Sequence, residues 1–128
     1  MKFLTHLSVS LILMAILYPF YKTSVLYILI GGFLIDIDHS LWYFMVSKSL
    51  NLKKTFEYYY KLDFKDILNI FHTVEFMVVF LLFCLYFKLY LLYVGYIIHM
   101  IMDFIYMYTA KHFGKRTWSL TTWIIRRV

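Results

Sequence analysis

Eight residues set in apolar surroundings carry side chains that bind metal ions or move protons: His6, Asp36, Asp38, His39, His72, Glu75, His99 and Asp103. An unpaired charge in a membrane-spanning helix costs about 2.5 to 3.5 kcal/mol on insertion scales, so acids in such runs need a partner. Their spacings are those of helix neighbours: Asp36 and His39 at i,i+3, His72 and Glu75 at i,i+3, His99 and Asp103 at i,i+4. Each pair can therefore point at a common centre. A single intramembrane histidine is ordinarily an interhelical hydrogen-bond partner, but four histidines and four acids with no Lys or Arg beside them have no cheap structural explanation. Imidazoles and carboxylates in this proportion form a donor set for a divalent metal, zinc first and manganese or iron as alternatives, with enough carboxylates to bridge two ions. In this reading His6, Asp38, His39, His72, His99 and Asp103 are ligands, and Asp36 or Glu75 serves as general base.

These residues must be brought together by elements that the composition restricts to one class. Hydrophobic residues make up 63% of the 128, only 16% are charged, and the mean hydropathy is +0.74; soluble domains hold roughly 45 to 50% apolar residues. The expectation is one integral membrane domain with about four spans of some 20 residues each. Hydropathy puts them near 3–20, 24–46, 69–87 and 89–109, the first pair turning at "YPFYKTS" and the second at Lys88. The segment between the pairs is polar and basic, with Leu52, Phe56 and Tyr59 at helical spacing, as in a short helix on the membrane surface. Asp63 and Asp66 are placed to cap the third span. The predicted fold is thus all-α: a transmembrane four-helix bundle of two hairpins, an interfacial helix between them and a basic C-terminal tail.

Eleven of the thirteen Lys and Arg residues fall in the amino end, the central segment or the tail. The positive-inside rule then puts both termini and the central segment in the cytoplasm, in a cell inner membrane. The net charge of +6 is a topology signal, and no nucleic-acid partner is expected. Counted from the hairpin tips at 1.5 Å per residue, all eight polar groups lie at about 16 to 27 Å, one slab in the cytoplasmic half. Cys84 has no second cysteine to pair with, which excludes an intrachain disulfide. His112 reads as a tail histidine without a role.

"DIDHS" after a glycine-containing span, "HTVE" opening the next, "GYIIHMIMD" in the last and "THLSVS" near the start together resemble the membrane-bound metal-dependent hydrolase family. That family carries motifs of the form PDxDH, His followed by Ser or Thr, and GxxxHxxxD; Ile35 stands here where it has proline. The resemblance covers residues 4 to 103 and implies hydrolysis. By analogy with zinc phospholipases and nucleases, the substrate would be a phosphoester. A lipid head group or polyprenyl phosphate could reach such a site from the cytoplasmic leaflet, with Lys111, Lys115 and Arg116 of the tail near its phosphate. Positive-inside anchoring is the plainer reading of those three cations. The alternatives are a di-iron carboxylate oxidoreductase, which favours Glu-x-x-His over the reverse order found here, and a metal-ion or proton transporter. Assembly into a homo-oligomer is compatible with so small a bundle, but no residue pattern fixes a contact face.

Overall fold

The computed structural model describes residues 3–49, 51–60, 67–111 and 116–127, and every regular element among them is helical. The expected caps Asp63 and Asp66, together with His112 and Lys115, lie outside the described residues. Helix α1 (Phe3–Tyr21) carries Pro19 in its last turn, where the missing N–H and the ring's clash with the turn before it oppose continuation. Lys22 then takes the left-handed conformation (φ 50°) and opens a 3-10 turn to Val25. From there α2 (Leu26–Phe33) runs back along α1, so that Ser10 stands against Gly32.

Within the expected span at 24–46 the helix is interrupted. Phe33 leaves helical geometry (φ −129°, ψ −48°), a 3-10 turn covers Leu34–Asp36, and α3 (Ile37–Ser47) follows. Gly31 and Gly32 precede the break, each weakening a helix by about 1 kcal/mol relative to alanine. After Lys48, Asn51 accepts the Lys54 N–H (3.1 Å) and starts α4 (Leu52–Tyr60).

The third expected span, 69–87, also begins differently. Ile67–Asn69 is irregular and buried, Ile70–His72 is a 3-10 turn, and Thr73 is extended (φ −87°, ψ 153°). The Thr73 hydroxyl accepts the Phe76 N–H (3.3 Å), so helix α5 (Val74–Tyr86) starts only there. This corrects the i,i+3 pairing of His72 with Glu75: an extended residue separates them, and their side chains diverge. A turn at Lys88, closed by Leu89 N–H to the Cys84 carbonyl (2.8 Å), leads into α6 (Tyr90–Thr109). Beyond it, residues 116–119 lie alongside 67–74. Thr117 N–H donates to the Ile67 carbonyl (3.1 Å) and Val74 N–H to that of Trp118 (2.9 Å), before the six-residue helix α7 (Leu120–Ile125).

Two helical stretches are long and apolar enough to cross a membrane: Leu4–Ser47, 44 residues with the reversal at Lys22 inside it, and Tyr90–Thr109, 20 residues. Helix α5 has 13, about 20 Å at 1.5 Å per residue. Among the described residues, the non-glycine positions with positive φ are Lys22, Lys48, Lys88 and Lys111, each just past a helix end.

The principal contact is α2 against α6, with Ile28 and Tyr96 completely buried between them. It requires glycine at two facing positions. A Cβ at Gly31 would collide with the Leu92 carbonyl oxygen and stand 2.9 Å from Tyr96 N; one at Gly95 would collide with the Ile28 carbonyl oxygen, 2.9 Å from Ile28 Cα. Backbone meets backbone here, so the clash cannot be relieved by a rotamer change. Gly95→Ala is therefore expected to lower stability by about 1 to 3 kcal/mol, read as a lower melting temperature of the detergent-solubilised chain. An unchanged melt would mean the two helices separate without loss.

Candidate metal centre

The break after Gly32 has a chemical result. The Gly32 carbonyl accepts a hydrogen bond from His99 Nδ1 (3.0 Å), so His99 carries a proton on Nδ1 and turns Nε2 toward the cluster. His72 is fixed the same way by a different acceptor: its Nδ1 donates to Asp38 Oδ2 (2.9 Å). The two remaining nitrogens face each other, His72 Nε2 and His99 Nε2 standing 2.9 Å apart with both rings buried. Asp36 Oδ1 lies 3.3 Å from the His99 Nε2 and 3.5 Å from that of His72; Asp103 Oδ2 lies 4.0 and 3.6 Å away. Two imidazole nitrogens and two carboxylate oxygens thus converge on one small volume.

Around this centre, three sets have donor atoms within 4.8 Å of one another: His6, Asp36 and His99; Asp36, His39 and His72; His72, His99 and Asp103. Each shares a member with the next, so they form one cluster of six residues from α1, the 3-10 turn after α2, α3, the turn before α5, and α6. Buried His/Asp groups within metal-binding distance are therefore present.

Asp36, expected as a base, belongs to two of the sets. Asp38, expected as a ligand, belongs to none: Oδ1 accepts from His39 Nδ1 (2.8 Å) and Oδ2 from His72 Nδ1 and the Phe71 N–H (3.0 Å). It orients imidazoles instead of joining the centre. His6 stacks on His99 (centroids 4.0 Å apart), with Nε2 3.2 Å from Asp103 Oδ1 and Nδ1 buried with no partner among the described residues.

Glu75 is elsewhere. Its carboxylate accepts from the Ser119 hydroxyl (2.7 Å), the Leu120 N–H (2.9 Å) and the Thr121 N–H (3.1 Å), tying α5 to the start of α7. The expectation that no Lys or Arg pairs with the buried acids is also corrected. Arg116 Nη1 donates to Asp103 Oδ2 at 2.7 Å, both side chains 5% exposed, because the tail folds back beside residues 67–74. Lys111 is exposed beyond the end of α6.

Two residues outside the sequence expectation complete the surroundings. Asn69 Nδ2 donates to His39 Nε2 (3.1 Å), and the Tyr59 hydroxyl donates to Asn69 Oδ1 (3.3 Å). Burial, reinforced by the nearby Asp38 carboxylate, pushes the Tyr59 phenol well above its ordinary range, so it remains a donor. An asparagine three residues before His72 was the available signal; its direction depends on the 3-10 turn. Arg116 has no local signal, since thirteen residues separate it from Asp103.

Comparison of the chain with family models, curated proteins and solved structures finds no match.

Because Glu75 holds the tail and stands apart from the cluster, Glu75→Ala should speed trypsin cleavage after Arg116 several-fold while leaving any metal content unchanged. Loss of metal in that variant would contradict the separation.

Proposed function

We propose that this protein is a membrane-embedded metal-dependent hydrolase that acts on a phosphoester of lipid or polyprenyl type at the cytoplasmic leaflet. The observation that carries the metal is the 2.9 Å approach of His72 Nε2 to His99 Nε2, with both Nδ1 atoms committed to other acceptors. Two neutral rings turning both lone pairs inward would repel at that distance, so the pair needs a shared cation, either a proton or a metal ion bound by both. A proton would serve the two nitrogens alone, whereas a divalent ion also uses Asp103 and His6.

The charge balance agrees. Asp36, Asp38 and Asp103 against the Arg116 guanidinium leave two negative charges, which favours one divalent ion over two, zinc first. Gly32 and Asp38 fix the tautomers of His99 and His72, the arrangement by which neighbouring acceptors tune metal ligands.

The membrane part of the proposal rests on composition and on side chains such as Leu11, Ile16, Val79, Leu82, Ile101 and Ile105, which stand exposed on helices that lipid would cover. We take α1 with α2–α3 and α5 with α6 as two hairpins of a four-helix bundle, with both termini and the amphipathic α4 on the cytoplasmic side. Hydrolysis rests on the resemblance to the membrane-bound metal-dependent hydrolases. When bound, a divalent cation supplies Lewis acidity toward a phosphoryl oxygen and toward water. Asp36 has 17% of its side chain exposed, against 5% for Asp38 and Asp103, and is the carboxylate that takes the proton from water. His39, held by Asp38 and Asn69, lines the same side.

A di-iron oxidoreductase is less well supported, because Glu75 is engaged with α7 and Asp38 with His39, His72 and the Phe71 N–H, leaving only Asp36 and Asp103 to bridge two irons. A transporter needs a polar path, yet residues 10–18, 24–32 and 79–98 hold no Asp, Glu, His or Lys other than Lys88.

Elemental analysis of the detergent-purified chain by mass spectrometry tests the reading. The parent should hold about one equivalent of zinc or manganese and cleave a phosphodiester or phosphatidate. His72→Ala with His99→Ala should lose both properties, and Asn69→Ala should weaken metal binding by about 10- to 100-fold. A folded parent that takes up no metal after reconstitution overturns the proposal; iron would turn the assignment to oxidation.

A further inference from the structure

Arg116 does more in this structure than neutralise Asp103. Its side chain is 5% exposed, and only Nη1 is used, donating to Asp103 Oδ2. Nε and Nη2 are both buried, and among the described residues neither has an acceptor. A guanidinium cannot lose its proton to escape this situation, so buried cationic N–H groups remain unsatisfied, a costly arrangement in a native site. The two nitrogens are not an arbitrary pair. Nε–H and Nη2–H point from the same edge of the planar group and form the fork that takes two oxygens of one anion.

The position of this fork is set by the tail. The Ile67–Arg116 bridge and the bond from Thr117 N–H to the Ile67 carbonyl hold the backbone, and the Trp118 ring lies 5.0 Å from the guanidinium carbon. The oxygen that receives Nη1 is 3.6 Å from His72 Nε2. The unused edge therefore belongs to a guanidinium whose Nη1 is bonded to an acid of the cluster, with the Trp118 ring 5.0 Å away.

We infer that the Nε/Nη2 edge of Arg116 is an oxyanion subsite that binds the phosphoryl group of a phosphate ester beside the metal centre. The identity of the anion rests on the hydrolase reading; the presence of an anion-binding edge does not. Nη1 keeps Asp103 in place while Nε and Nη2 grip two phosphoryl oxygens, so one side chain couples the centre to its substrate. Lysine retains the charge and can still reach Asp103, but offers no second edge.

Equilibrium dialysis of the full chain in detergent tests this, with radiolabelled inorganic phosphate in one arm and short-chain phosphatidic acid in mixed micelles in the other. Each arm is run with and without zinc, and metal content is measured in the same samples. The parent should bind at least one of the two, and Arg116→Lys should bind it about 10- to 100-fold more weakly with metal content retained. Binding of inorganic phosphate would identify the phosphoryl group alone as sufficient, and binding of phosphatidic acid only would identify a lipid source. A parent that binds neither, or an Arg116→Lys chain that binds as well as the parent, overturns the inference. A parent without metal that still binds through Arg116 sustains the subsite and defeats the metal reading instead. Should Arg116→Lys not fold, the parent decides: the bound anion must slow phenylglyoxal addition at Arg116 relative to Arg126 and Arg127. A rate at Arg116 that the anion leaves unchanged, zero included, overturns the subsite.

Discussion

The apposition of His72 Nε2 and His99 Nε2 is the constraint around which the chain is arranged. Two imidazole nitrogens are held at 2.9 Å because their rings are fixed from behind. His99 is held by a backbone carbonyl on α2, and His72 by a carboxylate at the start of α3. Both acceptors flank the interruption between those helices. An unbroken helix through residues 33–36 would direct the Gly32 carbonyl along its own axis to a residue four ahead, leaving His99 Nδ1 without this partner.

That dependence reaches into the packing. His99 lies one turn beyond Gly95, and Gly32 is next to Gly31, so the backbone contact between α2 and α6 sets how far the His99 ring stands from its carbonyl acceptor. The other side of the centre is built from irregular segments, 67–73 and 116–119, which hold each other through main-chain bonds and through Glu75. Helix packing thus fixes one histidine and a pair of non-helical segments fixes the other. Regular and irregular structure each supply half of the centre.

The parts of this arrangement legible in the sequence are those that stay within one helix or one turn. Asp36 with His39, and His99 with Asp103, are three and four residues apart, and their side chains lie 3.4 and 4.0 Å apart. Four histidines in apolar runs marked the centre's composition, and Lys88 marked the turn before α6. Where the chain leaves the helix, spacing failed. Thr73 as an N-cap ends the register between His72 and Glu75, and the extended tail carries Arg116 to an acid that no periodicity relates to it. The roles of Asp36 and Asp38 were likewise unreadable, because two carboxylates two residues apart are told apart only by which one meets the Nδ1 atoms. Nothing local to the sequence encodes that.

The four lysines with positive φ carry a different consequence. Left-handed backbone at a helix end is ordinarily glycine's position, and a side chain there costs about 1 to 2 kcal/mol per residue. Here Lys22, Lys48, Lys88 and Lys111 occupy it, so each residue both stops a helix and contributes a cation just past its last carbonyls. Replacement is thereby judged on two independent scales. Glycine or asparagine would ease the backbone and lose the charge, while arginine would keep the charge and retain the strain. Tolerance at these positions is the intersection of two preferences, which makes them poorer sites for drift than their exposure implies.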